Sequence, residues 1–239
     1  MQLLCGGSII TSTAIFTLSW DEGLGWSDHR LDIACMMTPW FFFVGHIVML
    51  SVMFTKLCRV DKIMQFHRHN KVTVRNVLGP LVALLVATLA ILVAWTVLDP
   101  WTWERVVASE IPYETYGECG NDRLWAFTGP LIGLIIIAEG ASAYFAWKTA
   151  NVPDEINDSS SMFFAICTHM QAWAIGVPIL AVLGDSSSDA TYLGRVLLIW
   201  IFSVSSIACV VYPNLVRAIH LRRNPELRQK SSRVFVSGL

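Results

Sequence analysis

Six stretches of this chain, near residues 2–20, 33–57, 76–98, 125–147, 161–183 and 192–216, are apolar over the length that crosses a bilayer. A span needs roughly 20 such residues to cover about 30 Å of hydrocarbon. Lipid-facing backbone must satisfy its own hydrogen bonds, so every stretch is expected to be a helix. The fold class that follows is an all-α integral membrane protein, a bundle of six spans. Composition agrees, with 54% hydrophobic and 15% charged residues among 239, against roughly 25% charged in a soluble domain. The first stretch, Gln2 to Trp20, lacks the basic start and the cleavage site of a secretory leader and reads as a span. Residues 1–223 form the membrane domain, and the polar, basic residues 224–239 read as a disordered cytoplasmic tail.

Charge sets the orientation, because basic loops resist translocation. Lys56, Arg59, Lys62, Arg68, Lys71 and Arg75 follow the second stretch, Lys148 the fourth, and Arg217, Arg222, Arg223, Arg228, Lys230 and Arg233 the sixth. The opposite side receives Arg30, Arg105 and Arg123. Both termini and the 58–75 loop are therefore expected in the cytoplasm, with the 21–32, 99–124 and 184–190 loops outside. Asn157-Asp158-Ser159 is a glycosylation sequon on the inner side, so it should stay unmodified. In the outer 99–124 loop, Trp101, Trp103, Tyr113 and Tyr116 read as an aromatic belt at the membrane interface. A net charge of −1, segregated by loop, points to membrane lipid and gives no sign of a nucleic-acid partner.

Enzymatic signatures are absent: no nucleophile elbow, His-Glu-x-x-His, P-loop or dinucleotide fingerprint occurs. The six cysteines show no metal-ligand spacing, and His67 and His69 read as solvated residues of a basic loop, so no cofactor or metal is implied. Topology puts Cys35 and Cys119 on the oxidising side, where they either form a disulfide or stand as two unrelated thiols; Cys5, Cys58, Cys167 and Cys209 should be free. Ionisable groups within a span are costly and mark function by default. His46, Glu139 and His169 each lie about 13–14 residues from the outer end of their span, roughly 20 Å deep. They form either one polar cluster or three separately satisfied side chains. Arg195, near the outer end of the last span, is expected to snorkel. At the inner ends of two spans, Lys56 and Asp158 are placed to form an ion pair that a partner could break.

Cys35-Met-Met-Thr-Pro-Trp40 followed by Phe54-Thr-Lys-Leu-Cys-Arg-Val60 resembles the third span of GABA-B-type class C G-protein-coupled receptors. That span opens on a disulfide cysteine and closes on Phe-x-Lys-x-x-Arg-Val. Trp95 with Asp99-Pro100 is similar to the end of the family's fourth span, and Cys119 sits where the partner cysteine would be. Ala146-Trp147-Lys-Thr-Ala-Asn-Val152 and Asn157-Asp158-Ser159 resemble its third cytoplasmic loop, Trp173 and Pro178 its sixth span, and Tyr212-Pro213-Asn214-Leu215 the end of its seventh. Asn214 stands where the family usually has Lys.

The resemblance implies that the six spans are helices two to seven of a seven-helix receptor whose first span and extracellular bilobed ligand-binding domain are missing here. It further implies a signal passed to a heterotrimeric G protein at an inner face that includes Arg59, Lys62, Arg68, Lys71 and Asn214. Partnership with a second receptor subunit carrying the ligand-binding domain, as a homo- or heterodimer in the plasma membrane, is implied as well. Three other readings stay open: a small six-span transporter or channel using His46, Glu139 and His169; a haem protein with His46 and His169 as axial ligands; and an incomplete gene product.

Overall fold

The structure, a computed structural model, describes residues 2–66, 75–110, 113–121, 123–149, 159–184, 188–213, 215, 216 and 219. The elements in order are α1 (Gln2–Leu18), a 3-10 turn (Glu22–Leu24), α2 (Asp28–Phe66), α3 (Arg75–Leu98), β1 (Thr102–Glu110), β2 (Tyr113–Gly120), α4 (Leu124–Lys148), α5 (Ser159–Gly184) and α6 (Ser188–Ser206). A π-helical turn, Ile207–Val211, continues α6. Five helices, α2 to α6, are long and apolar enough to span a membrane. The apolar helix α1 is shorter, at 17 residues or about 26 Å.

The helices close into a ring in which α1 packs on α2 and α6, α3 on α2 and α4, and α5 on α4 and α6. α2 is the central member, touching α1, α3, α4 and α6. Half of its best apolar window is buried inside the bundle, against 17% for α3, α4 and α5. The outward faces carry Val86, Val93, Ile137, Phe164, Ile175 and Trp200, all exposed, as a lipid-facing surface needs.

Because lipid is as apolar as a leucine side chain, helices here associate through close packing and interhelical hydrogen bonds. The tightest seam is α1 against α2. A Cβ on Gly45 would lie 2.4 Å from Thr11 Oγ1, 2.6 Å from the Thr11 backbone nitrogen and 2.8 Å from the Gly7 carbonyl, so only glycine permits this approach. Polar ties reinforce the ring: Thr17 to Thr38 at 2.9 Å, Ser19 to Tyr192 at 2.8 Å, Trp40 Nε1 donating to Thr96 Oγ1 at 3.0 Å, and Ser8 donating to the Ser203 carbonyl at 3.3 Å.

Two features differ from the reading of the sequence. The second stretch does not end at residue 57; α2 runs on to Phe66. Its charged extension contains good helix formers and no Gly, Pro or Asn to stop it. The 99–124 loop folds as an antiparallel β-hairpin, with Thr102 opposite Gly120, Trp103 opposite Cys119, and a register shift between Val107 and Ser109. Residues 224–239, read above as a tail, lie outside the described residues.

Candidate functional site

The core divides into two hydrophobic clusters along the bundle axis. At the hairpin end Phe43, Ile47, Leu92, Trp95, Leu131, Ile135, Trp173 and Phe202 pack together. At the other end Leu4, Met49, Met53, Leu57, Ala146, Met162, Ile166 and Val210 do the same. His46, Glu139 and His169 sit at the junction between the clusters, all fully buried. Their positions follow from helical spacing. On α4 the buried series is Leu131, Ile135, Glu139, Ser142 and Ala146, and on α5 His169 falls between buried Ile166 and Trp173. Residues three or four apart share a helix face, so each ionisable group occupies a core-facing position of its own helix.

The three side chains converge. His46 Nε2 lies 3.1 Å from Glu139 Oε1, and His169 Nδ1 lies 3.6 Å from the same oxygen. The other ring nitrogen of His169 faces two hydroxyls of α6, Ser205 Oγ at 3.0 Å and Ser206 Oγ at 3.2 Å. Ser205 donates its proton to the Phe202 carbonyl at 3.3 Å. His169 thus spans the layer, with Nε2 toward the α6 serines and Nδ1 toward the Glu139 carboxylate. Three fully enclosed polar atoms, His46 Nδ1, His169 Nδ1 and Glu139 Oε2, have no hydrogen-bond partner.

Above this layer, toward the hairpin, lies a cavity of about 360 Å³ whose lining includes Phe42, Trp95, Trp101, Trp173 and Arg195. Its floor separates it from the polar layer. Phe42 stacks on His46 at 6.0 Å between ring centroids, Trp173 meets it edge-on at 6.0 Å, and Phe202 meets it edge-on at 4.7 Å. This seal is apolar, which gives no support to a polar transport path through the described part of the bundle. A haem between the histidines is also disfavoured, because the Glu139 carboxylate occupies the space between their nitrogens.

The cysteines expected outside are joined: Cys35 and Cys119 form a disulfide with Cα atoms 5.6 Å apart, tying β2 to the start of α2. Cys5, Cys58, Cys167 and Cys209 form no disulfide. The aromatic-belt reading fails for two residues. Trp101 is buried and lines the cavity, and Trp103 donates from Nε1 to Glu22 Oε1 at 2.8 Å and from its backbone nitrogen to Asp32 at 2.8 Å. Arg105 pairs with Glu22 as well, and this contact, followed by the Trp103 hydrogen bond, holds the Glu22 carboxyl below the usual range. The Arg195 guanidinium lies 5.1 Å over the Trp101 ring and lines the cavity. Glu22 was the residue that sequence reasoning missed, since no local pattern links it to Trp103 some eighty positions away.

At the opposite end, Lys148 of α4 meets Asp61 of α2 at 2.9 Å. Lys56 lies on α2 five residues before Asp61, while its expected partner Asp158 lies outside the described residues, as do Arg68, Lys71 and Asn214. Arg59 and Lys62 belong to α2, but their side chains also lie outside the described set.

No curated protein matches the chain closely enough to stand as a relative. The family described as "7 transmembrane sweet-taste receptor of 3 GCPR" matches residues 1–214, which takes in every helix of the ring, the disulfide-linked hairpin and the buried polar layer. The chain therefore belongs to the family of class C G-protein-coupled receptor seven-transmembrane domains.

Proposed function

We propose that this chain is the signal-transmitting membrane domain of a GABA-B-type receptor, taking its signal at the hairpin end and passing it to a heterotrimeric G protein at the Lys148 end. The observation that supports it is the family match across residues 1–214, joined to the Phe54-Thr-Lys-Leu-Cys-Arg-Val60 segment carried on α2. On this reading α1 also crosses the membrane, making six crossings in all, and the six helices are the second to seventh of a receptor in the plasma membrane. Both termini face the cytoplasm.

Arg59, Lys62, Arg68, Lys71 and Asn214 meet the G protein, and Lys56 with Asp158 forms the resting contact that the G protein replaces. The cavity at the hairpin end of the bundle is the place for a mainly apolar ligand whose acceptor or acidic group faces Arg195. A second receptor subunit, bearing a ligand-binding domain, is the proposed partner.

Complex formation tests the coupling. The full chain in nanodiscs is mixed with a panel of nucleotide-free heterotrimeric G proteins, and co-elution on size exclusion is followed. The reading predicts a complex with at least one class that GTPγS dissociates and that Lys62→Glu with Arg68→Glu and Lys71→Glu weakens. Absence of any GTPγS-sensitive complex across the panel, with the disulfide intact, would count against it.

A further inference from the structure

The polar layer contains an arrangement that the receptor reading does not use. Glu139 is a carboxylate enclosed in apolar surroundings, and one of its oxygens faces two imidazoles, at 3.1 Å and 3.6 Å. A single hydrogen bond from His46 accounts for one approach. His169 Nδ1 stands 3.6 Å from the same oxygen, beyond hydrogen-bond distance, and His46 Nδ1 and Glu139 Oε2 are likewise enclosed without a hydrogen-bond partner. A carboxylate enclosed in a low-dielectric interior needs a compensating positive charge, and a cation among these three side chains would supply it.

We propose that His46, Glu139 and His169 form a binding site for a divalent transition-metal ion, best suited to zinc, that links α2, α4 and α5 in the middle of the bundle. Three ligand atoms, one from each side chain, all lie within 4.8 Å of one another. A tetrahedral zinc ion at about 2.0–2.2 Å from nitrogen and oxygen ligands sets neighbouring ligand atoms about 3.3–3.5 Å apart. The two measured separations, 3.1 and 3.6 Å, bracket that spacing. Imidazole and carboxylate suit zinc, whereas the all-oxygen shells of calcium and magnesium are not available from this set. Ligating histidines typically have the second ring nitrogen held by a hydrogen bond that fixes tautomer and orientation. His169 has this support from Ser205 and Ser206. The π-helical turn Ile207–Val211 begins immediately after those serines; Pro213, which has no N–H to give the Cys209 carbonyl, accounts for the widened turn. The site is independent of whether the chain couples to a G protein.

The test uses the full chain in nanodiscs, stripped with chelator and titrated with Co2+ and then Zn2+. One Co2+ per chain, with the intense visible absorption of four-coordinate cobalt that Zn2+ abolishes, is the expected result. Glu139→Gln and His169→Asn should each lose the absorption. Ser205→Ala with Ser206→Ala should weaken Zn2+ binding roughly 10–100-fold, the usual effect of removing outer support. His67→Ala with His69→Ala should leave binding unchanged. Should the ligand variants fail to fold, X-ray absorption of the wild-type Co2+ form decides alone: nitrogen and oxygen neighbours with imidazole scattering support the site. Sulfur neighbours, no bound cobalt, or undiminished binding in a folded Glu139→Gln protein would overturn it.

Discussion

Replacing Gly45 by alanine tests the α1–α2 seam on which the ring closes. The new methyl would sit 2.4 Å from Thr11 Oγ1, 2.6 Å from the Thr11 nitrogen and 2.8 Å from the Gly7 oxygen, where ordinary contact is about 3.5–4.0 Å. Two of these neighbours are backbone and cannot rotate away, so α1 must retreat by roughly 1 Å. Overpacking of this kind costs about 1–3 kcal/mol. The fair comparison is Gly140→Ala, where nothing lies within 4 Å of the new methyl and helix propensity alone favours alanine by up to about 1 kcal/mol. Thermal unfolding in detergent, read by a thiol-reactive dye on the buried Cys58, should give a lower midpoint for Gly45→Ala and an equal or higher one for Gly140→Ala. Adding Thr11→Ala should restore only part of the loss, because the Thr11 nitrogen and Gly7 oxygen remain. Equal midpoints for the two glycine variants, or full rescue by Thr11→Ala, would refute the seam as described.

Cys35→Ser and Cys119→Ser should lower stability similarly, since the bridge closes a separation of 84 residues and such a loop contributes about 4–5 kcal/mol in the chain-entropy model; a double variant markedly less stable than either single one would argue against pairing. Arg105 and Trp103 hold the Glu22 carboxyl below its ordinary range, so their contribution is present above the unfolded-state value, near about 4.3, and is lost as pH falls through the lower folded-state value. The stability gap between wild type and Glu22→Gln, measured by thermal unfolding, should thus be present at neutral pH and close in acid; a constant gap would contradict this. Lys56→Ala should raise basal nucleotide exchange, and Lys56→Asp with Asp158→Lys should return it to rest; two active single variants with an active swap would rule out a direct pair.

The helical ring was legible because hydropathy reports burial in lipid directly, and five of the six stretches emerge as helices of spanning length. The C-terminal end of α2 was not, because Lys56, Arg59, Asp61 and Lys62 end the hydropathy signal without ending the helix. The meeting of His46, Glu139 and His169 was half legible. Depth along each span placed them in one layer, but facing one another depends on helix rotation, which apolar-all-round helices such as α4 leave nearly unmarked in sequence. Trp101 and Trp103 misled because a tryptophan near an interface has the same local sequence whether it meets lipid or, as here, lines a cavity (Trp101) or bonds a carboxylate (Trp103 to Glu22). The hairpin's signal was present in Thr102-Trp-Glu-Arg-Val-Val107 and Tyr113-Glu-Thr-Tyr116, rich in β-branched and aromatic residues around Pro112. In a chain dominated by helices it read as loop.

The central claim is that this bundle passes a signal to a G protein, and GDP release is its most direct measure. The full chain in nanodiscs, at a small fraction of the G-protein concentration, is added to GDP-loaded heterotrimers and release is timed by fluorescent nucleotide exchange. The account predicts faster exchange on at least one G-protein class, faster still with Lys56→Ala, and slowed when Lys62, Arg68 and Lys71 are changed together to Glu. Exchange at the spontaneous rate for every class, from protein whose Cys35–Cys119 bridge is intact and whose Lys56→Ala form is equally silent, would contradict it.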